Sequence, residues 1–126
     1  MEPIQFPEFM NEENMRKMPR QQLIDMFKEM GGMMMPPGMV MPDPETLTVK
    51  GERMMVPTRD GDIRCIIYRA KKENMPVYFG MHGGGFVGGN CEDIDFFCDM
   101  INKHLDINVV NINYRKAPEF PYPYAV

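Results

Sequence analysis

The segment His82-Gly83-Gly84-Gly85-Phe86-Val87-Gly88-Gly89 constrains this chain more than any other, because five of the seven residues after the histidine are glycine. Ordering glycine costs more backbone entropy than ordering any other residue. Such a run calls for backbone that approaches a ligand closely or takes up conformations closed to a Cβ. Three ligands meet that description: a phosphate, a dinucleotide and an oxyanion. A phosphate loop requires Gly-Lys followed by Ser or Thr at the helix start, and Gly88-Gly89-Asn90 stands there instead. Gly83, Gly85 and Gly88 do satisfy G-x-G-x-x-G, the dinucleotide pattern. That pattern also needs a carboxylate at the end of the second strand, where this sequence has Asn111-Ile112-Asn113-Tyr114. The following helix also starts beyond Gly89, too late to hold a pyrophosphate between the glycines. The dinucleotide reading therefore stays as the weaker alternative to an oxyanion.

The surroundings of the loop set the fold class. Pro76–Met81 reads as a strand. Ile94, Phe97, Cys98, Ile101 and Leu105 then form a stripe of helical period, with Asn90 as N-cap and Asp93 in the first turn, where negative charge is favoured. Ile107–Tyr114 reads as a second strand, so strand, helix and strand make a βαβ unit with a parallel pair. Upstream, Arg53–Val56 and Ile63–Tyr68 flank Arg59-Asp60-Gly61-Asp62, a hairpin signal. The acidic residues Glu92, Asp93, Asp95 and Asp99 read as a solvated helix face, and His104 as a solvent-facing or dipole-complementing residue near a helix end.

Residues 1–48 differ from the rest. Eleven of the 16 methionines lie in the first 41 residues. Leu23, Met26, Phe27 and Met30 mark a short amphipathic helix that Gly31-Gly32 is expected to end. Met33 to Pro44, with prolines 36, 37, 42 and 44, reads as an irregular apolar connection. The expected organisation is a Met/Pro-rich helical cap segment over 1–48, followed by an incomplete α/β domain over 49–126. A net charge of −4 and a pI near 5.2 argue against a nucleic-acid partner. No apolar run reaches membrane-spanning length, and the N-terminus lacks the pattern of a secretory signal. Cys65, Cys91 and Cys98, an odd number without metal-like spacing, read as reduced thiols in a cytoplasmic protein. No cofactor or metal site is expected.

The glycine loop and the segment Val109-Val110-Asn111-Ile112-Asn113-Tyr114-Arg115-Lys116-Ala117-Pro118-Glu119-Phe120-Pro121-Tyr122-Pro123 together resemble the hormone-sensitive-lipase-like esterases. That α/β-hydrolase family carries H-G-G-G-[FW] followed at this separation by Y-R-x-A-P-E-x-x-[FY]-P. The resemblance covers residues 50–126 well and residues 1–48 only loosely, by position. Lys116 stands where the family often has an aliphatic residue, and Phe120 where it often has histidine. The resemblance implies an α/β fold, here the N-terminal part of an α/β-hydrolase: a β-hairpin plus a βαβ unit of a mostly parallel sheet, preceded by a cap segment. It implies a carboxylic-ester hydrolase, esterase or lipase-like, acting on a small-molecule ester. Gly84 and Gly85 would supply oxyanion-hole N–H donors, while His82 and Gly83 shape the loop. Phe86 would lie beside the acyl or alcohol pocket, and Arg115 and Glu119 would brace the segment after the strand. The family nucleophile is a serine in G-x-S-x-G, followed by an acid and a histidine. This chain contains no serine, so the nucleophile is expected beyond it and the 126 residues alone are expected to be inactive. A non-catalytic truncated hydrolase-like protein or binding module is the alternative from another class. Oligomeric state is open.

Overall fold

In the hairpin, β1 (Glu52–Thr58) and β2 (Gly61–Tyr68) pair antiparallel, with Thr58 opposite Gly61 and only Arg59-Asp60 between them. The tight turn lengthens both strands beyond the apolar runs that signal them, because polar residues complete the ladder next to a two-residue loop. The computed structural model describes residues 11–33, 38, 40 and 42–126. The chain divides into two compact units, Met1–Val40 and Met41–Val126.

In the first unit, α1 (Glu12–Lys17) is capped by Asn11, whose side chain accepts from the Asn14 N–H. The second helix, α2 (Arg20–Met33), spans the positions of the expected stripe, of which Leu23 and Met26 are half-buried. It runs through Gly31-Gly32 rather than stopping before them. Glycine weakens a helix but does not forbid it, and terminal turns tolerate it. The side chains of Phe27 and Met30, and most of the apolar connection after Met33, lie outside the described residues.

The second unit holds a four-stranded sheet in the order β1-β2-β4-β3, with β3 at Val77–Met81 and β4 at Asn108–Ile112. β4 lies antiparallel to β2 and parallel to β3. The expected βαβ unit is therefore present, and its helix is α3 (Asp95–Leu105), entered through a 3-10 turn at Cys91–Ile94. Asn90 precedes that turn, and Asp93 reaches back to accept the Asn90 N–H at 2.8 Å. The helix covers one face of the sheet. Cys98, Ile94 and Ile101 pack with Ile66, Tyr68 and Val109 in the core cluster. A Cβ on Gly80 would lie 2.9 Å from Cys98 Sγ, so glycine lets the helix approach β3 this closely. On β3 itself Val77, Phe79 and Met81 are exposed. Among the described residues of this unit, no helix covers their face of the parallel pair.

Two of the acidic residues around the start of α3, Glu92 and the half-buried Asp95, leave the expected solvated face, whereas Asp93 is exposed and Asp99 pairs with Lys103. Glu92 is buried, its side chain only 2% exposed, and it holds two arginines. Arg53 of β1 lies 3.4 Å from Oε1, and Arg64 of β2 lies 3.1 Å from Oε2. Arg53 also donates to the carbonyls of Pro44 at 3.0 Å and Leu47 at 2.6 Å, and Arg64 pairs with Glu45. Residues 44–47 are thus tied to the sheet. Asp95 accepts from the Tyr68 hydroxyl at 2.5 Å and from the Lys50 N–H at 3.0 Å. Strand arginines too far away in sequence to be read as partners turn Glu92 inward.

Burial alone would push the Glu92 carboxyl up. Hydrogen bonds from its own backbone and from Cys91, and the charge of Arg64, outweigh burial and hold it below its ordinary value of 4.5. Folding therefore favours the ionised form, and its contribution is present above about pH 4.5 and lost as pH falls through the lower folded value. Glu92→Gln is expected to lower the unfolding free energy at pH 7 by about 3 kcal/mol, since it removes the buried counter-charge of Arg53 and one of the two carboxylates of Arg64. It is also expected to flatten the loss of stability below about pH 4.5. Urea unfolding of both chains across that range checks both outcomes.

Candidate functional site

The glycine loop leaves β3 at the level where β4 ends, since Met81 pairs with Ile112. His82 is buried, at 4% exposed. Its ring stacks on Tyr114 at 4.2 Å and 12°, and the Tyr114 hydroxyl donates to the His82 carbonyl at 3.3 Å. His82 Nδ1 lies 2.8 Å from the Gly83 carbonyl oxygen. A carbonyl only accepts, so this contact is a hydrogen bond when Nδ1 carries the proton. Next along the loop, the Gly84 carbonyl accepts from Val87 at 3.1 Å and from Gly88 at 3.0 Å.

These two anchors set the direction of two N–H groups. In a trans peptide the carbonyl of one residue and the N–H of the next point opposite ways. With the Gly83 carbonyl turned to His82, the Gly84 N–H points away from that ring. With the Gly84 carbonyl turned to the Val87–Gly88 amides, the Gly85 N–H points away from the turn. The loop's internal hydrogen bonds use its carbonyls and leave those two N–H groups out.

Glycine is required at two points. Gly84 has φ +130°, and a Cβ there would sit 2.1 Å from the Gly88 carbonyl oxygen. Gly89 has φ +79°, and a Cβ there would sit 2.2 Å from the Gly83 carbonyl oxygen. The two ends of the loop thus close on each other through backbone contacts that any side chain would break.

The segment after β4 holds the loop from outside. The Ala117 N–H donates to the Phe86 carbonyl at 2.8 Å. Lys116 Nζ donates to the Gly89 carbonyl at 2.6 Å, to Asn90 Oδ1 at 3.1 Å and to Asn113 Oδ1 at 3.4 Å. Burial, with a smaller push from the nearby Arg64 charge, holds the Lys116 ammonium below its ordinary range. Lys116, where the family pattern often has an aliphatic residue, thus holds the loop exit, and that departure was the available signal for it. Arg115 lies over the Phe120 ring, at 5.4 Å from the centroid. Asn111, fully buried, donates to the Cys91 carbonyl at 2.7 Å and so pins the turn into α3.

The remaining candidates lie apart from this chemistry. His104 is exposed on the last turn of α3, its Nδ1 2.9 Å from the Met100 carbonyl. Cys65, Cys91 and Cys98 are buried and unbridged. Burial pushes the thiols of Cys91 and Cys98 up to about 11, which removes thiolate character at neutral pH. Among the described residues no cluster of His, Cys, Asp and Glu is placed to hold a metal ion, and no helix is long and apolar enough to cross a membrane. An open cavity of about 560 Å³ lies at the carboxyl ends of β3 and β4, bordered by Met81, Ile112, Tyr114 and Arg115. In open α/β sheets that is where ligands bind.

Replacing Lys116 by Met is expected to loosen the loop exit while leaving α3 in place. Losing its hydrogen bonds costs about 1.4 kcal/mol. The Gly88 and Asn90 amides should then exchange with solvent roughly tenfold faster, with α3 amides unchanged, as hydrogen exchange followed by NMR reads directly.

Comparison with known proteins agrees with this architecture. A family model described as alpha/beta hydrolase fold matches residues 77–126. A probable carboxylesterase of Arabidopsis thaliana is 47% identical over 53 residues, which are 40% of this chain and 12% of that protein. A versiconal hemiacetal acetate esterase of Aspergillus parasiticus is 38% identical over 64 residues, 51% of this chain and 20% of that one. The solved structure of an esterase from Pyrobaculum calidifontis is 28% identical, with a TM-score of 0.57 over 86% of this chain and 34% of that one. The chain thus spans between 12% and 20% of the length of these curated relatives. Strand order, glycine loop and matched segment together give the chain the hairpin and βαβ part of an α/β-hydrolase fold, and residues 77–126 are similar to that fold's family model.

Proposed function

We propose that residues 82–89 are the oxyanion hole of a carboxylic-ester hydrolase, with Gly84 and Gly85 as backbone N–H donors and His82 and Gly83 holding the loop in shape. The observation that carries this reading is the anchoring of the Gly83 and Gly84 carbonyls, which turns the next two N–H groups outward. When a nucleophile attacks an ester, charge develops on the former carbonyl oxygen. N–H groups already aimed at that position stabilise the charge more than the neutral ground state, each by about 2.7–4 kcal/mol. The burial of His82 under Tyr114, with Nδ1 turned to its neighbour's carbonyl, suits a positioning role rather than proton transfer.

The nucleophile is a serine supplied by residues outside this sequence, together with its acid and histidine. None of the 126 residues is serine, so the segment alone performs no triad chemistry. The relatives' printed names, a carboxylesterase and an acetate esterase, support a small-molecule ester as substrate. The dinucleotide alternative gains nothing from the structure: α3 begins at Asp95, past Gly89, and Asn111 at the end of β4 is spent on the Cys91 carbonyl.

Two alanine substitutions separate this role from mere loop integrity, assayed in the protein that carries this segment together with its nucleophile. Gly84→Ala forces the Cβ into the Gly88 carbonyl and turns the donors away, so ester turnover should fall about 100-fold or more. A Cβ on Gly85 meets nothing within 4 Å, and φ +59° is open to alanine at modest cost. Gly85→Ala should therefore lose less than about tenfold. Wild-type turnover by the Gly84 variant, or equal loss in both, contradicts the assignment.

A further inference from the structure

Arg53 divides its guanidinium between two backbone carbonyls and one carboxylate. It stands on β1, at the opposite edge of the sheet from β3 and the glycine loop. Its Nη2 donates to the carbonyls of Pro44 at 3.0 Å and Leu47 at 2.6 Å, while Nε and Nη2 both lie 3.4 Å from Glu92 Oε1. The two carbonyls belong to the 3-10 turn Pro44–Thr46 and the residue after it. Asp43 caps that turn by accepting the Glu45 N–H at 3.0 Å. Arg64 joins the same two places a second time, pairing with Glu45 and with Glu92. A planar fork can hold carbonyls and a carboxylate in one geometry, whereas an ammonium is a single point charge. Arg53 thus ties residues 43–47 to the turn at Cys91–Ile94, which is where the glycine loop ends.

The end of the loop touches its donors. A Cβ on Gly89 would sit 2.2 Å from the Gly83 carbonyl oxygen, and one on Gly84 would sit 2.1 Å from the Gly88 carbonyl oxygen. The peptides at the exit and the peptides that carry the Gly84 and Gly85 N–H groups are therefore in backbone contact. A shift of the exit moves the donors with it, and misplacing a group that acts on the reacting atoms by about 1 Å costs about 100-fold in rate. We propose that Arg53 is a positioning residue of the oxyanion hole, acting through Glu92, and that residues 43–47 are the seat that holds it. The inference rests on the oxyanion-hole reading of Gly84 and Gly85. It gives β1, which contributes nothing to the glycine loop itself, a part in the aim of its N–H groups.

Turnover and hydrogen exchange are both read in the protein that carries this segment together with its nucleophile. Donors that act on the transition state set kcat, so Arg53→Met is expected to lower kcat about tenfold with KM held within about twofold. Arg53→Lys keeps the charge but not the fork, and should stay within about threefold of the methionine variant. Exchange in a peptide covering residues 82–90 should become about tenfold faster in Arg53→Met, with residues 95–105 of α3 unchanged. Arg69→Met serves as the control, since it breaks an exposed ion pair with Glu52 on the same strand, and it is expected to leave both readings alone. Should Arg53→Met unfold the protein, Asp43→Ala carries the test: it removes only the cap of the 44–46 turn, and exchange over 82–90 should rise about threefold. Unchanged kcat, a rise in KM that matches the fall in kcat, full rescue by lysine, or parent-like exchange over 82–90 overturns the proposal. Failure of the oxyanion reading has a different signature: normal turnover in the Gly84 variant while Arg53→Met still speeds exchange over 82–90.

Discussion

A single buried carboxylate joins the parts of the sheet unit that matter. Glu92 sits at the turn between the glycine loop and α3, and it faces Arg53 on β1 and Arg64 on β2. The exit of the loop is thereby fastened to the hairpin at the other edge of the sheet. A buried ion pair is not in itself evidence of great stability, because desolvation consumes much of the attraction. Its value here is positional. With both carboxylate oxygens engaged, the turn at Cys91–Ile94 has one arrangement relative to the strands, and the loop before it begins and ends at fixed points.

Between those points the loop is shaped by carbonyls rather than by side chains. His82, Val87 and Gly88 take up the carbonyls of Gly83 and Gly84, and Lys116 and Ala117 take up those of Gly89 and Phe86. Each captured carbonyl aims the N–H on the far side of its peptide. Electrostatic stabilisation by backbone works only when the donors are aimed before the reaction begins. Glycine is needed where the backbone turns back on itself, at Gly84 and Gly89. Phe86 is the exception, holding a left-handed φ of +64° with its ring 64% exposed.

Much of this was legible in the sequence. The Asp-Gly turn, the stripe from Ile94 to Leu105 and the glycine run all act through neighbours close in the chain, and they yield the hairpin, the helix and the loop. The misread elements depend on partners far away. Glu92 looked solvated because Arg64 and Arg53 are 28 and 39 residues distant, and nothing local announces that the fold brings them together. Lys116 looked like a neutral departure from a family pattern, because its role depends on where the Gly89 carbonyl points.

The central claim is that this glycine loop works in a serine hydrolase. The most direct measurement treats a lysate of cells making the protein with a fluorophosphonate probe that labels active-site serines, then seeks peptides from residues 50–126 in the labelled bands. The account expects them in a labelled band well above 14.7 kDa. Finding them only in an unlabelled band at 14.7 kDa would contradict it and leave the loop as inherited architecture without catalysis.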